Sequence, residues 1–120
     1  MSLAEATARA KHDLGKYVAF QLRWLGAQAS DAELLEALRA DVLNTRRGPS
    51  GSESAMALWE RLRGDLVGAD LGPVDAGIAL LQGHAQGLEA GTCSRADLEA
   101  CSQAALDIAR ALADLARTHR

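Results

Sequence analysis

An all-α fold is what this sequence predicts, and three observations carry the prediction. Apolar residues make up 48% of the chain but aromatics only 3%. The hydrophobic content is therefore mostly Ala and Leu, strong helix formers, rather than the β-branched and aromatic residues that strands favour. Apolar positions recur at spacings of three and four, the period of a helix with one buried face. Serines followed three residues later by an acid (Ser30/Glu33, Ser50/Glu53, Ser94/Asp97) punctuate these runs and mark helix starts. A chain of 120 residues supports one core, so a single domain over 1–120 is expected. Short connections between amphipathic helices place neighbours antiparallel, which makes the expected architecture an antiparallel helical bundle of four to five helices.

The first helix is expected from about Ser2 to Leu25, with Leu14, Val18, Leu22 and Leu25 on one face, and Gly26 to Ala29 breaks it. Ser30 and Glu33 form a capping box that opens the second helix, which buries Leu35, Leu38 and Val42. That helix ends at Arg46-Arg47-Gly48-Pro49: two cations suit the negative end of the dipole, and Pro49 cannot extend the ladder. Gly48 to Ser52 reads as a loop. Ser50 with Glu53 offers a cap for the third helix, whose stripe is Ala55, Trp59, Leu62 and Leu66. A turn over Gly68 to Gly72 delivers Pro73 to the first turn of the fourth helix, where Val74, Ile78, Leu81, Ala85 and Leu88 form the seam. Gly83, Gly87 and Gly91 stand four apart on this helix and predict a groove in which a neighbouring helix approaches closely. Ser94 and Asp97 cap the last helix, whose seam is Leu98, Cys101, Ala105, Ile108, Leu112 and Leu115.

Composition also limits function. A net charge of −3 with mixed signs lacks the clustered cations of a nucleic-acid binder. No apolar run approaches the roughly 20 residues of a membrane span, and no signal-peptide core is evident, so a cytoplasmic location is expected. Cys93 and Cys101 have neither metal-knuckle spacing nor the context of a disulfide framework; Cys101 reads as a small buried hydrophobe, and Cys93 falls in a turn. His84 has no carboxylate or second His one turn away, and His119 suits a helix C-terminus. Neither a cofactor nor a metal is expected.

The residues that stand out are His12-Asp13-Leu14-Gly15-Lys16, where a titratable His, a carboxylate and a Lys crowd one turn. At about 100° per residue His12 lies on the polar side of the first helix with Glu5, Arg9, Lys16 and Arg23. Arg9 and Lys16, one turn either side, are placed to meet an anion carried on the imidazole. Beside them runs a stripe of Asp13, Tyr17, Phe20 and Trp24, which holds three of the chain's four aromatics. A solvated His beside aromatics that pack under a neighbouring helix is the plain structural alternative.

This string resembles the phospho-acceptor box of sensor histidine kinases and histidine phosphotransfer proteins: His12, acidic Asp13, apolar Leu14, then a small and a polar residue, Gly15 and Lys16. The resemblance spans about one helical turn plus the helical architecture, and the Lys-then-Gly order usual in phosphotransfer proteins is inverted here. It implies His12 as phospho-acceptor, Lys16 and Arg9 screening the transferred charge, and Asp13 as a base. Tyr17, Phe20 and Trp24 would then contact a protein partner such as a response regulator. No glycine-rich ATP-binding half accompanies it, so the chain would be a non-catalytic relay in bacterial signalling. The same five residues also resemble the His-Asp motif of the HD-domain metal-dependent phosphohydrolases, which implies a divalent metal held by His12 and Asp13. No His precedes His12 to supply that family's earlier ligand. A third reading is a structural or adaptor bundle, with the aromatic stripe as a homodimer interface.

Overall fold

The computed structural model describes residues 2–18, 29–43 and 54–119, without the side chains of 16–18 and 41. It is all-helical: among the described residues there are five α-helices and no strand. They are α1 (Leu3–Val18), α2 (Asp31–Asp41), α3 (Ala55–Leu62), α4 (Gly72–Ala90) and α5 (Arg95–Thr118), with a 3₁₀ turn at Arg63–Asp65 continuing α3. No described helix is long and apolar enough to cross a membrane.

Local chemistry fixes the ends. Ser30 Oγ accepts the Glu33 N–H at 3.2 Å while Glu33 Oε1 accepts the Ser30 N–H at 3.1 Å. The Ser30 N–H first, and the Ser30 hydroxyl with it, hold the Glu33 carboxyl below its usual range. Ser94 and Asp97 repeat the box at the start of α5, with both bonds at 3.2 Å. The cap of α3 is Ser54, whose hydroxyl accepts the Ala57 N–H at 3.2 Å, so the helix opens at Ala55. The cap expected from Ser50 and Glu53 is thereby displaced, and those two residues lie outside the described segments. α4 carries Pro73 in its first turn and ends at Gly91, whose φ of 74° is the left-handed conformation glycine adopts without steric cost.

α5 is the organising helix, packed most extensively on α4 and α1 and also on α2. Its seam of Leu98, Cys101, Ala105, Ile108, Leu112 and Leu115 is buried throughout. Val74, Ile78, Leu81 and Leu88 of α4 face it, with Ala85 at the margin. α1 contributes Ala6, Ala10 and Leu14 to the core at intervals of one turn. Of its expected apolar face only Leu14 has a described side chain, since that of Val18 is not described and Leu22 and Leu25 fall outside the described segments. In α2 the buried stripe is Leu34, Ala37 and Leu38 with Val42 at the cap, while Leu35 packs at the rim. The α3 stripe is buried as its periodicity predicts, at Ala55, Trp59, Leu62 and Leu66. Long-range ties complete the packing. Arg95 donates to Ala29 O at 2.6 Å and pairs with Asp31 at 3.1 Å, joining the starts of α5 and α2.

The glycine groove is corrected. Gly83 has open space where a Cβ would stand, and Gly91 is a helix terminus. The close helix approach lies at Gly77, where a Cβ would stand 2.5 Å from Ile108 Cγ1 and 3.3 Å from Ala104 O on α5. Spacing alone picked out the wrong glycines because only the partner helix decides which one is crowded.

Candidate functional site

His12 projects from the exposed side of α1, opposite the buried Ala6, Ala10 and Leu14. Asp13 is partly covered, its side chain 32% exposed, and its Oδ2 lies 3.5 Å from Arg9 Nε in an i,i+4 ion pair. Arg9 is thus directed at Asp13, so the screening role expected of it is shared with a carboxylate. Lys16 and Tyr17 belong to α1, but their side chains are not described, and Phe20 and Trp24 lie outside the described segments. A second cation, missed in the sequence, stands close by. Lys11 lines a groove of about 400 Å³ with Ala113, Ala116 and Arg117 of α5. Only the packing of α1 on α5 brings Arg117 to this face, where Asp114 also engages it.

A distinct constellation lies at the α4–α5 turn. His84, Cys93 and Asp97 each present one donor atom, and these atoms all lie within 4.8 Å of one another. All three side chains are half-buried. Gly91 ends α4 in the left-handed conformation, Ser94 caps α5, and the short turn between them folds Cys93 back onto α4 beside Gly87. Burial and the nearby Asp97 carboxylate push the Cys93 thiol above its ordinary pKa. The thiolate fraction at neutral pH is thereby lower than that of a free cysteine, which weakens Cys93 as a nucleophile. Cys101, fully buried one turn beyond Asp97, is pushed up to about 11, chiefly by burial. That is the inert core cysteine its place on the seam predicts.

Sequence reasoning missed this cluster because it sought partners for His84 one helical turn away. The partners come from the next helix and the turn before it. The capping box at Ser94, which placed the start of α5, was the available signal that Cys93 and Asp97 stand near the end of α4. A second depression, of about 420 Å³, runs between the start of α4 and the end of α5, lined by Asp70, Pro73, Asp107, Arg110, Asp114 and His119 among others. Its charges are mixed. His12 and Asp13 line neither depression, and the one convergent group of His, Cys and acidic side chains among the described residues excludes them. Comparison with protein-family models, with curated proteins and with solved structures gave no match.

Proposed function

We propose that this chain is a small helical interaction module of bacterial signalling, an antiparallel bundle that works by protein–protein contact and relays a phosphoryl group through His12. The observation that supports it is the placement of His12: exposed on a helix whose opposite face is buried in the core. A phospho-acceptor must be reached by a partner's active site, which favours a projecting surface and gains nothing from a cleft. In the transfer, the acyl–phosphate P–O bond of the donor breaks and an N–P bond forms at the imidazole. The donor carboxylate is released, and the imidazole proton passes to solvent or to Asp13. Lys11 precedes His12 and Lys16 follows it by one turn on α1, so two cations accompany the transferred charge along the helix. Tyr17, Phe20 and Trp24, which helical spacing in the sequence sets beside Asp13, supply apolar contact area for the partner or for a second copy of the chain.

Hydrolysis at a metal held by His12 and Asp13 gains no comparable support. The Asp13 carboxylate faces Arg9, and no third ligand converges on the pair among the described residues.

The test is transfer from response regulators charged with radiolabelled acetyl phosphate to the purified full chain. The expected result is an acid-labile, alkali-stable label that is absent from His12→Ala. No transfer from any regulator of the host, or label retained in His12→Ala, refutes the relay and leaves an adaptor bundle.

A further inference from the structure

The His84–Cys93–Asp97 cluster is independent of the His12 face. From it we infer a binding site for a borderline divalent metal ion of the Zn²⁺ class, held by the His84 imidazole, the Cys93 sulfur and one Asp97 oxygen.

The donor set is the first argument. Nitrogen, sulfur and oxygen together suit Zn²⁺, whereas Mg²⁺ and Ca²⁺ require oxygen donors throughout. Tetrahedral Zn²⁺, with bonds of about 2.0–2.3 Å, holds its donor atoms roughly 3.3–3.6 Å apart. The three donors already stand within 4.8 Å of one another, so closure asks about 1 Å of movement, within reach of small side-chain rotations. Three protein ligands leave the fourth tetrahedral position to water.

The second argument is how the donors are held. They come from three differently fixed places: the body of α4, a turn fastened by Gly91 and Ser94, and the first turn of α5. Asp97 Oδ2 already accepts the Ser94 N–H, which orients the carboxylate and leaves Oδ1 for another partner. Gly87 supplies the space, since a Cβ there would stand 2.9 Å from Cys93 Sγ. Glycine inside a helix is less stable than Ala, and here the room it leaves holds the sulfur.

The third argument separates this site from a nucleophile relay. A Cys-His-Asp relay is a chain of hydrogen bonds in which the His stands between the other two. No hydrogen bond joins His84 to Cys93 or to Asp97; the three donor atoms stand within 4.8 Å of one another instead. On metal binding a sulfur–metal bond replaces the S–H bond, and the proton goes to solvent. The ion then bridges α4 and α5 and stabilises the folded chain by mass action.

The test is titration of the reduced, metal-free full chain with Co²⁺ as the spectroscopic probe. One equivalent is expected to produce a thiolate-to-cobalt charge-transfer band and tetrahedral d–d bands that Zn²⁺ displaces. Cys93→Ser abolishes the charge-transfer band. His84→Gln, Asp97→Asn and Gly87→Ala each weaken Co²⁺ binding by about tenfold or more, with helicity by circular dichroism confirming that each is folded. Cys101→Ala retains the band. Independently, Zn²⁺ raises the melting temperature of the wild type and leaves that of Cys93→Ser unchanged. No charge-transfer band in the wild type, a band that survives Cys93→Ser, or equal Zn²⁺ stabilisation of the two proteins overturns the assignment.

Discussion

Asp75→Ala tests whether the α3–α4 contact is held by a buried polar anchor or by apolar packing alone. Trp59 is 1% exposed, and its indole Nε1–H donates to Asp75 Oδ1 at 2.7 Å. Arg63 reaches the other carboxylate oxygen at 2.8 Å. Removing the carboxylate leaves a buried indole N–H without an acceptor, a loss of about 1–3 kcal/mol. The Arg63 pair adds little, because its side chains are 42% and 40% exposed and such pairs contribute only ~0.2–1 kcal/mol. The expected destabilisation is about 2 kcal/mol. With an unfolding entropy of about 2.1 cal/mol/K per residue, that corresponds to a fall in Tm of roughly 8 °C for this chain.

The indole bond, the largest influence, outweighs the opposing effect of burial and, with the weaker help of the Arg63 guanidinium, holds the Asp75 carboxyl below its usual range. Because the folded value is the lower one, the contribution is complete above the unfolded value of about 3.9 and is lost as pH falls through the folded value. The gap between wild type and Asp75→Ala therefore narrows below about pH 4. Urea and thermal unfolding measure it, and the cycle with Trp59→Phe isolates the pair. A cost under about 0.5 kcal/mol, or the same cost in the Trp59→Phe background, refutes the anchor.

The two glycine substitutions on α4 have opposite expected signs. Gly77→Ala forces a Cβ against Ile108 and loses about 1–2 kcal/mol net after the helix-propensity gain, whereas Gly83→Ala, with open space around it, gains up to about 1 kcal/mol. Parallel thermal melts decide this, and equal effects would refute the close approach at Gly77. His12→Ala is expected to leave stability within about 0.5 kcal/mol, so the loss of label sought in the transfer assay reports chemistry; a larger loss in urea unfolding would show that the imidazole is packed.

Much of the helical framework was legible because its causes are local. A capping box spans four residues, so Ser30–Glu33 and Ser94–Asp97 announce two helix starts with no knowledge of the rest of the chain. The α4 and α5 seams follow from a period that any helix imposes on its buried face. The exposure of His12 was legible for the same reason: it lies around the helix from Leu14. Where three serines, Ser50, Ser52 and Ser54, stood close together, the choice of Ser54 over Ser50 as the cap of α3 was not. What periodicity records is which side of a helix is covered, never what covers it. Gly77 rather than Gly83 is crowded because Ile108 of α5 happens to cross there. Arg117 joins Lys11 because α5 lies on α1. His84 finds Cys93 and Asp97 because a left-handed glycine turns the chain back on itself. Each of these juxtapositions depends on distances between separate helices, which packing of the whole core sets and short-range spacing does not encode.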